Sequence, residues 1–519
     1  MTANMDNIAT ITKSRVEAGR RADGTEENGE PSLNKLPHTF VRDCLEANED
    51  GDAVLFQSLN PDLIFDHDEF IWYEFSNGYW YPFRKGEEFL RIERVISCYG
   101  TEINRLSWLI TGFTKEGKDP GPTERRRNEF LKRIRLLHTV NRKKNILQLA
   151  TKGQGVTTDE VMALQSPWFL PCQNGVVDLR TGELRPGLPE EHIRTFLPYP
   201  WVDIFDEPCP IWEKTLGEIF GGDPELIPYI QRLFGYACTG HAREHILPIL
   251  WGQGRNGKTT IVETISRILG AFAHKCRAEI LLDSQKVTAK GGADADTLAL
   301  RNKRLVLASE TNENRRFNVA MLKELVGGDT LNARGLYQTT PTTFRPTHTL
   351  ILLTNHKPHA PASDFAFWER VHLIPFNFSF VDREPEKDNE FRADKELSEK
   401  LEAEATGILA WMVRGCLKWQ QMGLAPPAAV RNATAAYQKA EDLISQFIEE
   451  RCEIGPKFQV QAGPLYQDYR EWSAEGGIKS LSQRKFGEDI KNRFDFTTGR
   501  HVFYIGIGLK YSDSVQGLQ

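Results

Sequence analysis

The 519-residue sequence lacks the patterns that would assign it to a membrane, secreted or zinc-binding class of protein. No apolar run approaches the roughly 20 residues of a membrane-spanning helix. The first residues, "MTANMDNIATITKSR", show no apolar core of a secretion signal. The eight cysteines include no pair at CxxC spacing, which argues against a zinc site and for reduced thiols. We therefore expect a cytoplasmic protein that has no membrane partner.

An excess of basic charge is also missing, since the formal net charge is −6 at pH 7. This balance argues against a protein that coats nucleic acid non-specifically, but it permits a groove or ring with locally concentrated basic residues. Hydrophobic residues make up 40% of the chain and charged residues 26%, which is ordinary for globular domains. The length predicts three or four domains.

The first part of the chain predicts a polar leader followed by a small domain. Residues 1–37 are rich in Gly, Glu, Asn and Arg, which predicts disorder, and residues 38–205 predict an N-terminal α+β domain. Within it, "FIWYEFSNGYWYPFR" has an Asn-Gly pair between two aromatic runs, which predicts a β-hairpin. Its Trp72, Tyr79 and Trp80 either pack in a small sheet, which we favour, or stack on nucleic-acid bases.

A strongly basic helical segment, "TERRRNEFLKRIRLLHTVNRKKN", occupies residues 123–145. Its basic side chains either contact a phosphate backbone or form a solvated helix face, and the sequence leaves both interpretations open. The candidates are Arg125, Arg126, Arg127, Lys132, Arg133, Arg142, Lys143 and Lys144.

The most specific motif is "GQGRNGKT" (residues 252–259), between an apolar strand-like run and a helix-like run. The pattern G-x-x-x-x-G-K-[ST] in this setting predicts a phosphate-binding loop. Glycine backbones approach phosphate oxygens closely, and the helix start favours an anion. We expect Lys258 to reach the β- and γ-phosphates of ATP and the Thr259 hydroxyl to bind Mg²⁺. The predicted nucleotide-binding residues are Gly252, Gly254, Asn256, Gly257, Lys258, Thr259 and Thr260.

Two further apolar runs end in polar residues that complete a nucleotide site. "KRLVLASET" ends in Glu310, which we expect to polarise the attacking water and, with Thr259, to hold Mg²⁺ partly through water. A surface glutamate at a strand end is the alternative. "HTLILLTN" ends in Asn355, whose amide is placed to sense the γ-phosphate. Ligands of parallel sheets bind at the carboxyl ends of the strands, as both assignments require.

Arg370, in "FAFWERVHLIPF", is the candidate for an arginine finger. Its loop is placed to reach the nucleotide of a neighbouring copy, where such a finger raises the rate of hydrolysis by about 10³–10⁵. A structural ion pair is the alternative, and Arg315 and Arg316 are weaker finger candidates.

The order of these motifs resembles the superfamily 3 helicases of the poxvirus, phage and plasmid primase–helicase family. The resemblance rests on "GQGRNGKTT", "LVLASE", "LKELVGGDTLNARGLYQ", "TLILLTNHKP" and "WERVHLIPF". It implies an AAA+-like P-loop ATPase, α/β with a parallel sheet flanked by helices, over residues 206–378, and a helical linker or lid over residues 379–440. It also implies a homo-oligomer, a hexameric ring around single-stranded or forked DNA, with translocation from 3′ to 5′.

The same resemblance implies a DNA-gripping hairpin between the second and third strands, here "LKELVGGDTLNARGLYQTTPTTFRP". Groups able to meet phosphate or stack on a base are Lys323, Arg334, Tyr337 and Arg345. The sequence departs from the family pattern in having a lone acid, Glu310, at the second strand and Glu369 beside the single finger arginine.

The last segment, residues 441–519, predicts a winged-helix domain. Two helices joined by a glycine turn precede a hairpin, "TTGRHVFYIGIGLKY", and Ser482 is a good N-cap for the second helix. This helix would bind DNA through Arg484, Lys485, Lys491 and Arg493, although winged helices also mediate protein contacts.

Together these features predict an ATP-driven replicative DNA helicase of a phage, prophage or plasmid. No acid-rich catalytic pattern precedes the ATPase, so we expect primase activity to come from a separate primase or polymerase. An initiator or scaffold ring that uses ATP only to assemble is the alternative. An ATPase of host defence is a third possibility that the residues do not distinguish.

Overall fold

The structure is a computed structural model that describes residues 36–157, 166–203, 207–283, 295–309, 315–334, 341–477 and 480–510. These residues form two compact units. The first holds the described residues up to Val176 together with Leu184–Phe196. The second holds Val177–Glu183 and the described residues from Leu197 onward. The predicted leader lies almost wholly outside the described residues.

The first unit combines helices with a four-stranded sheet of order β3-β2-β1-β4. Neighbouring strands are antiparallel except β1 and β4, which are parallel. The helices are α1 (His38–Glu46), α2 (Asn48–Leu59), α3 (Ile92–Lys115), α4 (Gly121–Leu137) and α5 (Val140–Gln154). The strands are β1 (Leu63–Asp66), β2 (Ile71–Ser76), β3 (Tyr79–Pro82) and β4 (Gly155–Val156). A three-stranded sheet, β5-β6-β7, follows in the chain, with bounds Phe169–Cys172, Gly175–Asp178 and Glu183–Arg185.

The predicted aromatic hairpin is confirmed, and its rings are packed inside the unit. β2 and β3 pair across the Asn77-Gly78 turn, with Ser76 opposite Tyr79. Trp72 packs against the rings of Phe56 and Phe65, and Trp80 donates its indole N–H to the Pro189 carbonyl at 2.9 Å. Trp72, Tyr79 and Trp80 are all buried, so the base-stacking alternative is wrong for them.

The helices of the first unit are held together by a fully buried carboxylate, that of Asp52 on α2. It accepts hydrogen bonds from Tyr99 on α3 at 2.7 Å, from Arg133 on α4 at 2.7 Å and from Arg142 on α5 at 3.0 Å. A buried charge is tolerated only when it is paired and hydrogen-bonded, and these donors meet that condition. Two of the eight basic residues singled out in the sequence are therefore internal.

The second unit is built on a five-stranded sheet of order β14-β8-β13-β10-β9, in which every neighbouring pair is parallel. Its strands are β8 (Leu247–Trp251), β9 (Ala273–Arg277), β10 (Leu305–Ser309), β13 (Thr349–Thr354) and β14 (Val371–Pro375). The helices up to β14 are α6 (Pro210–Ile219), α7 (Leu226–Ala237), α8 (Lys258–Leu269), α9 (Ala295–Leu298), α10 (Val319–Val326) and α11 (Phe365–Trp368). The predicted parallel sheet flanked by helices is confirmed.

The central strands are apolar runs because both faces of the sheet are covered. Ile249, Val306 and Leu352, from three different strands, belong to one buried cluster. Between β10 and β13 the chain makes an antiparallel pair, β11 (Leu331–Ala333) and β12 (Thr342–Phe344), with Leu331 opposite Phe344. This pair lies where the sequence places the DNA-gripping hairpin.

The edge strand β14 is covered by a helix from later in the chain, α14 (Ala428–Glu441). The Leu373 N–H of β14 donates to the Thr434 hydroxyl at 3.0 Å. Tyr437 of α14 packs edge-to-face on Trp368 with ring centres 5.0 Å apart. Before α14 the chain forms β15 (Ser379–Val381), β16 (Glu390–Arg392), α12 (Leu397–Ala403) and α13 (Ala405–Met422).

The last part of the chain has its own core, in which Phe447, Tyr469, Phe486 and Tyr504 are buried. Its elements are α15 (Leu443–Arg451), β17 (Cys452–Gln461), α16 (Ala462–Glu475), α17 (Gln483–Lys491), β18 (Asp495–Phe496) and β19 (Phe503–Leu509). The strands form an antiparallel sheet of order β17-β19-β18. The Ser482 side chain accepts a hydrogen bond from Lys485 N, so the predicted N-cap is confirmed.

Within the part of the chain that the structure describes, no helix combines the length and the apolar character needed to cross a bilayer.

Candidate functional site

Residues 252–257 form a tight loop between the carboxyl end of β8 and the first turn of α8. At two positions of the loop a side chain larger than that of glycine does not fit. A Cβ on Gly252 would lie 2.3 Å from the Asn256 Nδ2 atom, and Gly257 has φ +84°, with space for a Cβ blocked by Ile219. Around Gly254 there is open space instead, so its backbone is accessible to a ligand. The accessible backbone suits the predicted phosphate-binding role, and residues 252–257 are called the phosphate loop below after that prediction.

Lys258, the first residue of α8, is buried, with 7% of its surface exposed. Its Nζ atom donates hydrogen bonds to the Gly252 carbonyl at 2.5 Å, to Asn256 Oδ1 at 3.1 Å and to Asn355 Oδ1 at 3.0 Å. Burial lowers the pKa of Lys258 from 10.5 to about 8. Among the described residues the ammonium contacts only neutral oxygens, so this buried cation fits an anionic ligand.

Asn355 meets Lys258 because of the strand order. β13 lies directly beside β8, with Thr354 opposite Trp251, so the residue after β13 emerges next to the phosphate loop. The two side chains are 97 residues apart in the sequence. Parallel strands bring their carboxyl ends to one edge of the sheet, which is where ligands of such sheets bind.

The acidic candidate, Glu310, follows β10, which neighbours β13 on the side away from β8. β10 ends at Ser309, which pairs with Leu353, so β10 also ends at the edge that carries the loop. Glu310 itself lies outside the described residues. Thr259 is exposed and Thr260 is partly exposed on the first turn of α8, which leaves the Thr259 hydroxyl accessible.

Arg370 lies at the opposite edge of the sheet. It precedes β14, whose Val371 pairs with Leu247 at the amino end of β8. A strand of five residues spans about 16 Å, so Arg370 is remote from the phosphate loop of its own chain. Its Nη1 atom donates to the Ala366 carbonyl at 2.5 Å, and no carboxylate among the described residues pairs with it. The ion-pair alternative is therefore not observed in this part of the chain.

Arg370 borders an open cavity of about 720 Å³ at the amino edge of the sheet. Its lining is mostly charged and includes Glu244, Lys323, Glu324, Asp329 and Glu369. Lys323, a DNA-contact candidate, pairs there with Asp364 at 2.8 Å.

The other hairpin candidates flank the β11–β12 pair. Arg334 follows β11 and Arg345 follows β12, and both are exposed. Tyr337 lies outside the described residues. The structure thus brings two cations to the base of the hairpin and leaves its tip undescribed.

The cations predicted on α17 are engaged by neighbours of their own domain. Arg484 pairs with Glu488 at 3.0 Å and Lys485 with Asp489 at 3.2 Å. The Lys491 ammonium lies 5.0 Å from the centre of the Phe496 ring. Arg493 pairs at 2.8 Å with Asp442, which also caps α15. The acids four residues along the helix neutralise much of the positive field that phosphate would meet.

A segment that no sequence motif revealed runs beside the phosphate loop. Arg255 has φ +61°, and its carbonyl accepts the Phe380 N–H at 2.7 Å while its side chain pairs with Asp382 at 2.8 Å. Phe376 N–H donates to the Trp251 carbonyl at 2.8 Å. The chain after β14 therefore holds the loop in place through backbone hydrogen bonds and an ion pair. No local motif signals this, because the partners lie more than a hundred residues apart.

Two family profiles match the chain. One, described as "D5 N terminal like", matches residues 53–221, and the other, a family of unknown function (DUF5906), matches residues 250–370. The second profile spans the phosphate loop, Asn355 and Arg370.

The chain is also similar to proteins of large DNA viruses. A protein of Acanthamoeba polyphaga mimivirus, whose name gives a provisional helicase function, is 26% identical over 432 residues, 78% of this chain and 43% of that protein. One of Frog virus 3, named in the same way, is 30% identical over 47% of this chain and 26% of its own length. A provisional primase of African swine fever virus is 23% identical over 63% of this chain and 35% of its own length.

The chain therefore spans less than half the length of these viral relatives. Among solved structures, the C-terminal region of NrS-1 matches with a TM-score of 0.36 and 14% identity, over 59% of this chain and 78% of that one. The matched profiles and the names of the viral relatives fit the superfamily 3 primase–helicase family, which the sequence motifs resemble.

Proposed function

We propose that this chain is an ATP-dependent DNA helicase that acts in the replication of a virus, phage or plasmid. The observation that carries the proposal is the buried Lys258 ammonium, which is held between the phosphate loop and Asn355 and contacts only neutral oxygens among the described residues. The names of the viral relatives support the helicase function.

Bound ATP with Mg²⁺ supplies the phosphoanhydride bond that is hydrolysed. In this proposal the Lys258 ammonium leaves its loop oxygens to hold the β- and γ-phosphate oxygens. The Thr259 hydroxyl and the Glu310 carboxylate hold Mg²⁺, and Glu310 also orients the attacking water. In this proposal Asn355, which accepts a hydrogen bond from Lys258, senses the γ-phosphate.

Hydrolysis in this proposal needs a second copy of the chain. Arg370 lies at the amino edge of the sheet and the phosphate loop at the carboxyl edge, so one copy offers its arginine to the loop of the next. Copies that meet head to tail in this way form a ring when the rotation between neighbours closes. The family resemblance extends this proposal to a hexamer, to an arginine finger that acts in trans and to translocation from 3′ to 5′. The β11–β12 pair, with Arg334 and Arg345, supplies the DNA grip.

The test is the rate of ATP hydrolysis with and without single-stranded DNA, together with strand displacement on forks that carry a 3′ or a 5′ tail. We expect hydrolysis stimulated by DNA and displacement that depends on the 3′ tail. The Lys258→Ala variant should lose both activities, while Lys275→Ala, an exposed lysine paired with Glu263, should keep them.

Two outcomes would overturn the proposal. Absence of hydrolysis with Mg²⁺ would remove the ATPase. Hydrolysis that drives assembly on DNA but separates no strands would indicate the initiator or scaffold ring instead.

A further inference from the structure

The helix α4 has one face fixed in the interior of the first unit. Phe130 and Leu137 are fully buried, and Arg133, between them, reaches the buried Asp52 carboxylate. These positions recur at helical spacing and define the inward side of the helix. The rotation of α4 about its own axis is thereby set by an internal ion pair and two apolar anchors.

The opposite side of α4 presents Arg125, Asn128, Lys132 and Arg135. Their spacings of three, four and three residues place them in one stripe, about half a turn away from the inward face. All four side chains are exposed. Among the described residues, none of the three cations in the stripe forms an ion pair or a hydrogen bond. The stripe is therefore a row of exposed positive charges without neutralising partners in this part of the chain.

This arrangement differs from that of the cations on α17, which the sequence singled out as DNA contacts. There Arg484 and Lys485 are each paired with an acid one turn along the helix. On α4 Glu129 lies one turn from both Arg125 and Lys132, but among the described residues it forms an ion pair with neither, and Glu124 lies beside the stripe near Asn128. The unpaired cations are thus freer to meet an external anion than the paired ones, whose charge is partly offset by the neighbouring acid.

The charge of the surrounding segment also favours binding of an anion. Residues 123–145 contain nine Lys and Arg against two Glu, in a chain whose net charge is −6. Three of the nine are paired with acids from elsewhere in the unit, Arg133 and Arg142 with Asp52 and Lys143 with Glu93, so the surplus at the surface lies mainly on α4. Positive charge concentrated on one surface of an acidic protein steers a polyanion to that surface. A row of cations on a rigid helix suits a linear polyanion better than a single small anion.

The geometry points to the outer face of α4, the stripe Arg125–Asn128–Lys132–Arg135, as a binding surface for the phosphodiester backbone of DNA. From Arg125 to Arg135 the stripe is about 15 Å long, at about 1.5 Å per residue. Measured along the axis of duplex DNA, where each strand carries one phosphate per about 3.4 Å, that length spans about four phosphates of one strand. Contacts of this kind carry affinity without base specificity. The inference rests on the proposed function only for the choice of DNA as the polyanion.

The experiment measures equilibrium binding of the full chain to a fluorescent single-stranded DNA and a forked duplex, without nucleotide, by anisotropy over a series of salt concentrations. The stripe variant combines Arg125→Gln, Lys132→Gln and Arg135→Gln. The matched control combines Lys214→Gln, Arg392→Gln and Lys439→Gln, which remove the same charge from exposed cations that already have carboxylate partners. Thermal unfolding and circular dichroism verify that both variants fold.

We expect the stripe variant to bind DNA roughly 10- to 100-fold more weakly at 0.15 M salt, with a salt slope smaller by about 2. The control should lose much less and keep the wild-type slope. The three single substitutions should each give a smaller loss in the same direction. If the stripe variant binds like the control, or if the wild-type chain binds no DNA, the inference is overturned. Because nucleotide is absent, this result is independent of ATP hydrolysis and strand displacement, which test the proposed function.

Discussion

The buried hydroxyl of Tyr437 donates a hydrogen bond to the carbonyl of Pro358, three residues beyond Asn355. Lys357 lies between α14 and β8. Its ammonium is 4.3 Å from the centre of the Trp251 ring and 5.3 Å from the centre of the Tyr437 ring. Trp251 is the last residue of β8 before the phosphate loop. One late helix therefore supports both strand ends that carry the candidate nucleotide-site residues.

We predict that Tyr437→Phe lowers the free energy of unfolding of the second unit by about 1–3 kcal/mol, because a buried carbonyl loses its donor. Urea unfolding followed by tryptophan fluorescence measures the change. Tyr504→Phe is the control, since the Tyr504 ring is also buried but its hydroxyl has no hydrogen-bond partner among the described residues. Equal losses in the two variants would contradict the role given to Pro358.

The affinity for nucleotide should depend on pH through Lys258. Burial lowers the pKa of Lys258 to about 8, so the ammonium loses its proton as the pH rises through 8, and a neutral amine no longer attracts phosphate. Affinity for a non-hydrolysable ATP analogue should therefore be complete below pH 8 and about tenfold weaker at pH 9 than at pH 7. A fluorescence titration measures it. Lys258→Arg stays protonated and should show a flat profile. A flat profile in the wild type would refute this prediction.

Asn355→Ala should separate binding from hydrolysis. The amide touches the Lys258 ammonium but is not part of the loop itself. We expect hydrolysis to fall by about 10²-fold, as when one preorganised polar group is removed from a transition state, while affinity for the ATP analogue changes only a few-fold. Steady-state hydrolysis and equilibrium binding give the two values. Asn104→Ala, at an exposed site of the first unit, should change neither. A loss confined to affinity would contradict the sensor role.

Arg370 gives a prediction about assemblies of mixed composition. Arg370→Ala alone should reduce hydrolysis by about 10³-fold or more while leaving nucleotide affinity unchanged. Lys258→Ala alone should abolish hydrolysis. When the two variants are mixed and reassembled, some boundaries combine an intact loop from one copy with an intact arginine from the next, so activity should return in part. Failure of every mixing ratio to restore activity would show that Arg370 does not act across a boundary.

Asp52→Asn should destabilise the first unit by about 3–5 kcal/mol, because Arg133 and Arg142 would keep their charges without the buried carboxylate. Chemical unfolding of the full chain measures the change. Asp50→Asn, an exposed neighbour on the same helix, is the control and should have little effect. A similar small effect of both substitutions would mean that the interior of this unit tolerates unpaired arginines.

The meeting of the loop and Asn355 at one edge of the sheet was predictable because its signals are local. The glycine loop and Asn355 each follow an apolar run, and parallel strands bring the ends of those runs together. The acids four residues after Arg484 and Lys485 were equally visible in the sequence, but these cations were assigned to DNA and their pairing was missed.

Other features depend on partners that only the fold supplies. The basic segment left two interpretations open because the sequence does not show which arginines face inward. Asp52 decides this, and it lies 81 residues from Arg133. The contact between Tyr437 and Pro358, 79 residues apart, is set by how α14 docks on the sheet. Such long-range pairings follow from the packed structure and not from any spacing.

The docking of α14 on the edge strand β14 affects how copies of the chain can associate. The outward N–H of Leu373 on β14 is already taken by Thr434, and α14 lies over that edge of the sheet. A strand from another molecule finds no free backbone ladder there while the helix stays docked, so sheet extension and the aggregation it invites are blocked on this side. Copies that associate across this side of the molecule must recognise each other through side chains, which makes the contact sensitive to single substitutions and open to regulation.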